Sequence, residues 1–417
     1  MTSRDRILAA LNHRQPDRIP IDFGGTTVTG MHVSCVTALR AHYGLDQHPV
    51  KVIEIGQMLG EIEEDLKQVL GIDVEAVARA KSKWGFALAD WKPWRMPDGL
   101  EVLVPGGFNI TLDANGDVLL YPQGDTSVPA SSRMPNDGYF FDNIIRQDPI
   151  DDDTLKLEDN LEEFGPVPDE DLADMKARAA SVRERGRAVV AAIGGTGFGD
   201  IANVPAPGLR HPKGVRDVAE WYMSTRSRKS FIAAVFEKQA EIALANLQRL
   251  NQAMGDQIDV IYLCGTDFGT QNSSFCSTAT FRELWFPPYK TLIEWIHGNT
   301  QWKVFKHSCG AVSKFIPSFI EAGIDILNPV QCSATGMEPR DLKREFGRDI
   351  VFWGGGVDTQ STLPFGTAEE VRKQVLDRCA VLAEGGGYVF NSVHNLQART
   401  PLENIVAMFD AVKELNA

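Results

Sequence analysis

Residues 302–328 read WKVFKHSCGAVSKFIPSFIEAGIDILN, and they contain one complete strand–helix–strand unit. Residues 302–306 are predicted to form a short strand that ends at His307, and residues 324–327 are predicted to form another that ends at Asn328. The intervening residues 312–322 carry apolar side chains at helical spacing. Because a helical crossover returns the chain to the same end of a sheet, the two strands are predicted to be parallel neighbours.

The same alternation of apolar runs and helical patterns continues on both sides of this unit. Six alternations at this spacing predict a parallel sheet with both faces buried, and we expect an α/β fold of the (β/α)8 TIM-barrel type. A doubly wound open sheet is the alternative, but no Gly-x-Gly-x-x-Gly motif follows a strand. The other apolar runs lie at residues 188–193, 259–263, 349–353 and 387–390, and a turn at 16–25 feeds a further short strand.

Residues 81–125 depart from the alternation and predict a β-rich insertion. They are rich in Trp, Gly and alternating apolar residues, and Asn115-Gly116 between two apolar runs indicates a hairpin turn. The same acidic loop lacks the full ligand pattern and the terminal Glu of a calcium-binding loop. Residues 126–186, rich in Pro, Asp and Glu, are predicted to be a surface excursion of a single domain covering residues 1–417.

Composition excludes several classes of protein. The net charge is −14 and no Lys/Arg run is present, so a nucleic-acid partner is not expected. No apolar stretch reaches the roughly 18 residues of a membrane-spanning helix, so no membrane association is expected. The six cysteines are scattered without a secreted-domain pattern, which favours free thiols and a cytoplasmic location.

Polar side chains collect where the predicted strands end, although the middles of those strands are apolar. Because the active site of a (β/α)8 barrel lies at the carboxyl ends of its strands, this concentration predicts an enzyme that acts on a small molecule. In chain order these side chains are Asp267, His307, Cys309, Asn328, Gln331, Asp358, Asn391 and His394.

His307-Ser308-Cys309-Gly310 is the sharpest local motif. Residues two apart on an extended chain point to the same side, so an imidazole and a thiolate can share one metal ion, and both ligands suit zinc. His394 is a candidate third ligand, with Cys332 and Cys264 as further candidates. The alternative is a strand-end histidine that bonds to a carboxylate beside a packed cysteine.

The remaining strand-end residues are candidates for catalysis and binding. Asp267 is expected to face the barrel mouth as a catalytic or supporting carboxylate, and Asn391 is expected to orient the substrate. Asn328, Gln331 and Asp358 are assigned to cofactor binding. For the aspartates the alternative is a helix cap or an Asx turn, and for Asn391 it is a hydrogen bond to its own loop.

Three segments resemble the superfamily that holds uroporphyrinogen decarboxylases and zinc-dependent corrinoid methyltransferases. ALNHRQPDRIP at 10–20 resembles its opening helix and turn, and His307 to Gly310 resembles the His-x-Cys-Gly of the methyltransferases. Residues 391–408, with TPLENI at 400–405, resemble its C-terminal end. The resemblance covers roughly 1–75 and 187–417, and the 81–125 insertion fits a longer subgroup.

The resemblance implies methyl transfer between a corrinoid on a carrier protein and a zinc-activated thiol or alcohol. In the methyltransferases a second Cys near the C-terminus ligates zinc, and His394 stands at that place here. Paired barrels are common in the superfamily, so a homodimer is one arrangement that it implies.

Two alternatives remain beside methyl transfer. The first is a decarboxylase of the uroporphyrinogen type. The resemblance implies that such an enzyme has a cationic pocket with arginines just after the first strand, whereas residues 24–30 contain no arginine. A non-catalytic tetrapyrrole or corrinoid binder that kept the barrel is the second alternative.

Overall fold

The computed structural model describes residues 1–417, apart from the side chain of Cys264. Its strands are β1 (Val50–Glu54), β2 (Leu59–Gly60), β3 (Val74–Ala78), β4 (Lys92–Arg95), β5 (Glu101–Val104), β6 (Ile110–Leu112), β7 (Val118–Leu120), β8 (Ser132–Met134), β9 (Asp142–Asn143), β10 (Ala188–Ala192), β11 (Val260–Cys264), β12 (Lys303–His307), β13 (Ile326–Asn328), β14 (Val351–Trp353) and β15 (Tyr388–Val389).

The helices alternate with the later strands as the sequence predicts. They are α1 (Ser3–Leu11), α2 (Val33–His42), α3 (Glu64–Leu70), α4 (Asp169–Glu184), α5 (Val218–Ser227), α6 (Lys229–Met254), α7 (Thr278–Leu284), α8 (Phe286–Asn299), α9 (Ile316–Ala322), α10 (Pro339–Phe346), α11 (Thr362–Phe365), α12 (Ala368–Leu382) and α13 (Leu402–Leu415).

A parallel sheet in the order β3–β10–β11–β12–β13–β14–β15 forms the centre of the molecule. Ile21 joins its two edges, because the Ile21 carbonyl accepts the amide of Asp73 next to β3 at 2.8 Å. On the other side, the Phe390 amide after β15 donates to the Pro20 carbonyl at 2.8 Å. The sheet therefore closes on itself, which confirms the predicted barrel, and its first strand is reduced to a short bridge at Ile21.

The barrel interior is filled from both the strands and α1. Ile7, Ala10 and Leu11 of α1 pack in one buried cluster with inward-facing residues of β3 and β10 to β15. α1 begins with a capping box in which Thr2 accepts the amide of Asp5. The helix covers the amino-terminal end of the barrel, so polar groups at the carboxyl ends face the open mouth.

A mixed sheet, in which β1 and β5 are parallel, and an antiparallel sheet form the predicted β-rich insertion. Their orders are β2–β1–β5–β4 and β6–β7–β8–β9, so they also recruit strands from both sides of residues 81–125. The predicted hairpin joins β6 to β7, and the positive φ of its turn falls on Gly116 (82°). The segment 126–186 is more regular than its composition indicated, because it also contains α4, whose Met175 and Ala179 are fully buried.

The longest helix, α6, is amphipathic. Its buried residues Ile232, Val235 and Phe236 begin a stripe that continues at helical spacing to Met254, while charged residues occupy the other face. Among the residues that the structure describes, no helix is long and apolar enough to cross a membrane.

Candidate metal centre

Three predicted metal ligands come together at the barrel mouth. The ligand atoms of His307, Cys309 and His394 all lie within 4.8 Å of one another, and the group could hold a metal ion. His307 ends β12 and Cys309 follows it, whereas His394 reaches across from the loop after β15. The two imidazole rings meet edge to face with centroids 5.2 Å apart.

Asn328 determines which nitrogen of His307 can bind a metal. The Asn328 Nδ2 donates to the Trp353 carbonyl at 2.8 Å, so its Oδ1 is the acceptor that faces His307 Nδ1 at 2.6 Å. The neutral His307 ring must then carry its proton on Nδ1. Its Nε2 keeps a lone pair on the side of Cys309, 3.3 Å from Sγ.

The turn that carries Cys309 is held in place by its own backbone. The four consecutive amides of residues 308–311 each donate a hydrogen bond of 2.6 to 2.8 Å. A turn with this many bonds has little freedom left, so the sulfur is positioned by the protein itself. The acceptors, in order, are the Asn328 carbonyl, Asp267 Oδ1, Gln331 Oε1 and the Thr270 carbonyl.

His394 is the one candidate ligand of the three that must break a hydrogen bond before it can bind a metal ion. Its Nδ1 accepts the backbone amide of Asn395 at 2.8 Å, so the neutral ring carries its proton on Nε2. Either nitrogen can offer a lone pair to a metal only after the ring gives up this hydrogen bond. The third ligand must therefore rearrange, whereas His307 and Cys309 need not.

The electrostatics of the group fit a cation. Burial lowers the pKa of His307 to about 4 and of His394 to about 3, so both rings are neutral near pH 7, as metal ligands must be. Burial and the nearby Asp267 carboxylate raise the pKa of the Cys309 thiol well above its usual value. A divalent ion would supply the positive charge that a buried thiolate needs in this position.

Asp267 and Asn391, the predicted catalytic residues, both lie at this mouth. Asp267 Oδ1 accepts the Cys309 amide and is 3.8 Å from His307 Nε2, while its Oδ2 has no hydrogen-bond partner among the described residues. Burial raises the pKa of Asp267. Asn391 is fully buried and donates through Nδ2 to the Asp22 carbonyl at 2.6 Å. Its Oδ1 is buried without a partner in the described part of the chain.

The three residues assigned to cofactor binding form hydrogen bonds with other groups of the protein. Asn328 orients His307, and Gln331 links Gly310 to the side chains of Gln271 and Gln360. Asp358 Oδ1 accepts the amides of residues 360 and 361, which is the Asx-turn alternative. Their contact with a cofactor stays a prediction.

The other two candidate ligands do not join the group. Cys332 donates through Sγ to the Val330 carbonyl at 3.3 Å and lies outside the three-residue cluster. The side chain of Cys264 lies outside the described residues, so its part in the prediction stays open.

The sequence reasoning missed two polar groups of the same mouth. Asp200 lies in the loop after β10, and burial followed by repulsion from Asp267 raises its pKa to about 6. Burial, followed by the charges of Asp267 and Asp200, raises the pKa of Tyr222 on α5. Asp200 follows an apolar run and the glycine-rich segment 194–199, and that strand-end position was the available signal.

A protein-family model described as Uroporphyrinogen decarboxylase (URO-D) matches residues 209–415. The range begins after β10 and contains β11 to β15, so it includes all three candidate metal ligands and Asp267. Among curated proteins, none matches this sequence.

Among solved structures, a methyltransferase from Methanosarcina mazei aligns over 100% of both chains with a TM-score of 0.56 and 13% identity. At this identity the likeness concerns the fold alone, and it extends over the insertion as well as the barrel. D-psicose 3-epimerase aligns over 60% of this chain and 82% of its own, with 12% identity and a TM-score of 0.30. Endo-glycoceramidase II from Rhodococcus sp. aligns over 62% and 69%, with 10% identity and a TM-score of 0.36.

Proposed function

The C-terminal half of this chain, residues 209–415, belongs to the uroporphyrinogen decarboxylase family, and from this premise we propose that the protein is a zinc-dependent methyltransferase. It would move a methyl group between a corrinoid and a thiol or alcohol substrate. The observation that carries the proposal is the convergence of His307, Cys309 and His394 within 4.8 Å at the mouth of the barrel.

His307 and Cys309 would form the permanent part of the metal centre. Both are held by the hydrogen bonds described above, and two nitrogens with one sulfur form a ligand set that zinc accepts while one position stays open. When bound, zinc would act as a Lewis acid that lowers the pKa of a thiol or alcohol at that open position. His394 would complete the set after it releases the Asn395 amide.

Asp267 is suited to take up the proton of the substrate. Its Oδ1 holds the Cys309 amide, which leaves Oδ2 for a second contact at the mouth. Because burial raises the pKa of Asp267, the carboxylate binds a proton more readily than an exposed aspartate does. The buried Oδ1 of Asn391 is an acceptor that a substrate hydroxyl or amine could satisfy.

The charges of the mouth argue against decarboxylation of uroporphyrinogen. A substrate with many carboxylates needs several arginines or lysines, whereas the carboxylate of Asp267 lies beside the candidate ligands. Arg18 belongs to the opposite end of the barrel, where it donates to the Gly71 carbonyl and to Asp73. The open mouth would instead receive the corrinoid on a cytoplasmic carrier protein.

Metal content of the purified protein, measured by inductively coupled plasma mass spectrometry, tests the metal centre. We expect near-stoichiometric zinc in the wild type and its loss in the His307→Ala, Cys309→Ala double variant. His394→Ala should weaken zinc binding less than His307→Ala does, because only His394 must break a bond to become a ligand. The exposed His42→Ala variant is the control.

Methyl transfer itself is tested by following the absorbance of methylcobalamin during incubation with a panel of thiols and alcohols. Demethylation by the wild type and not by the double variant is the expected result. Zinc content that the double variant leaves unchanged would overturn the metal centre. Transfer that persists at full rate in that variant would overturn its role in the reaction.

A further inference from the structure

Strand β12 carries a charged side chain into the interior of the protein. Lys306 is fully buried, whereas Val304, two residues earlier on the same face of the strand, is apolar. The Lys306 ammonium group lies over three aromatic rings, with Nζ 4.9 Å from the ring centroid of Phe268 and 5.5 Å from those of Tyr289 and Phe319. Burial of an ammonium ion is unfavourable, and the surrounding rings offset only part of the lost hydration. An apolar side chain would fit among these rings without that loss, so packing alone does not explain the lysine.

The ammonium group bonds to two carbonyls that adjoin the candidate metal centre. Nζ donates to the Thr266 carbonyl at 2.8 Å and to the His307 carbonyl at 3.0 Å. The first carbonyl belongs to the peptide unit that leads into Asp267. The second belongs to the peptide unit that leads from His307 into the turn that carries Cys309. One side chain therefore joins the loops after β11 and β12 immediately beside the residues that form the centre.

Both peptide units bear on the same contact. Asp267 Oδ1 accepts the Cys309 amide at 2.6 Å and lies 3.8 Å from His307 Nε2. A rotation of either peptide plane would displace one partner of this contact, because Asp267 follows one plane and the turn of Cys309 begins at the other. The charge acts on the same two side chains. Burial raises the pKa of Asp267 and of Cys309, and the charge of Lys306 lowers both.

We propose that Lys306 is a positioning residue of the metal centre, because its ammonium group fixes the two peptide units that hold Asp267 and Cys309 in register. The inference rests on the proposed function, since it takes His307, Cys309 and His394 as metal ligands. The Lys306 side chain packs against rings of α8 and α9 on the outside of the barrel. It therefore acts through the two peptide units and not as a ligand of the metal.

Cobalt(II) accepts the same ligands as zinc and absorbs visible light, so its spectrum reports the geometry of the centre in the full-length protein. Lys306→Met keeps the length of the side chain and its packing on the rings but removes the charge and both hydrogen bonds. We expect this variant to bind cobalt at least about ten-fold more weakly than the wild type does, with shifted or weakened ligand-field and thiolate-to-cobalt bands. A variant that loses stability in urea but keeps the wild-type bands and affinity would show a purely structural role and overturn the proposal.

Two variants serve as matched controls. Phe319→Leu removes one ring of the same cluster and leaves the ammonium group in place, so it should lower stability in urea without changing the cobalt bands. Lys314→Met removes an exposed lysine whose Nζ lies 5.5 Å from the ring centroid of Phe315, and it should change neither quantity. If Phe319→Leu shifted the bands as much as Lys306→Met, loosened packing would account for the effect and the proposal would be wrong.

Lys306→Gln decides the question if the methionine variant does not fold. Glutamine is neutral but keeps an N–H donor for one of the two carbonyls, so it is the milder change. Altered bands and weaker binding in this variant would support the proposal, and wild-type bands and affinity would overturn it. A wild-type protein that binds neither cobalt nor zinc would overturn the metal centre and this role together. Wild-type cobalt bands that the Lys306 variants retain would overturn the role of Lys306 alone.

Discussion

Single residues decide how the candidate ligands are protonated and oriented. Asn328 is the clearest case, because its carboxamide is locked by the Trp353 carbonyl and can therefore offer only oxygen to His307. Asn395 does the opposite at His394, where its amide occupies the lone pair of Nδ1. His307 is therefore already protonated and oriented to bind a metal ion, whereas His394 must first lose the hydrogen bond from the Asn395 amide.

Asn328→Ala should weaken zinc binding by about 10- to 100-fold, because partners that orient a ligating histidine contribute that much to metal affinity. The reason is that His307 loses both the acceptor for Nδ1 and its fixed ring orientation. Competition with a chelating dye measures the affinity. Asn272→Ala, at an exposed asparagine of the loop after β11, is the control. An Asn328→Ala affinity equal to that of the control would contradict this role.

The metal-free protein should lose stability as the pH falls from about 6.5 to about 4. The unfolded state protonates His307 near its ordinary pKa of 6.5, whereas burial lowers the folded pKa to about 4, so acid favours unfolding over this window. The shift corresponds to about 3 kcal/mol for His307 alone. Urea unfolding at several pH values measures it.

The His307→Gln, His394→Gln double variant should flatten this pH dependence, since both rings are held neutral by burial. His42→Gln, at an exposed histidine, should retain the wild-type slope. If the double variant kept the full slope, other groups would be responsible for acid sensitivity.

At the scale of elements, the turn after β12 depends on close backbone packing. Gly310 has a φ of 86°, and a Cβ there would lie 2.4 Å from the Gly269 carbonyl carbon. Two loops therefore touch backbone to backbone at this point, which brings Asp267 and Cys309 together. Glycine is therefore needed at position 310 for two reasons: the positive φ of the turn and the close contact between the two loops.

Gly310→Ala should abolish tight zinc binding and destabilise the protein more than Gly44→Ala does. Both glycines have positive φ, but a Cβ at Gly44 (φ 65°) meets nothing within 4 Å. Gly44→Ala should cost about 1 kcal/mol for the backbone conformation alone. Chelator competition and urea unfolding of both variants measure the difference. Equal losses of zinc affinity and stability in the two variants would show that the two loops can move apart at little cost in free energy.

At the scale of the whole molecule, closure of the barrel joins residues that are far apart in sequence. Asp73 lies at the centre of this closure, since its Oδ1 accepts Arg6 and Arg18 at 2.8 Å each and its Oδ2 accepts the Ile21 amide. It thereby ties α1, the first strand position and β3 together at the amino-terminal end.

Asp73→Asn should destabilise the protein by about 3 kcal/mol, because two guanidinium groups lose a fully buried carboxylate and only Arg6 keeps another one, Asp17. Asp341→Asn breaks an exposed pair with Arg344 and should cost at most about 0.5 kcal/mol. Thermal and urea unfolding of the two variants tests the contrast. A loss at Asp73 no larger than at Asp341 would show that other contacts suffice to close the barrel.

Much of the architecture is determined locally, and for that reason it could be predicted. The strands β10 to β15 and the helices between them follow from apolar periodicity, which depends only on near neighbours in the chain. The polar residues at the strand ends could be predicted as one cluster, because parallel strands place their carboxyl ends together. His307 and Cys309 belong to one turn, so their convergence also follows from the sequence.

Only the tertiary structure decided which distant groups meet. His394 joins His307 from three strands further along the sheet, and the charge of Asp267 after β11 raises the pKa of the buried Asp200 after β10. The closure at Ile21 rests on backbone bonds to both sheet edges, which no local pattern specifies. Periodicity fixes which side of an element is buried. The length and path of loops decide which side chains become neighbours, and burial then sets the pKa values on which the proposed chemistry depends.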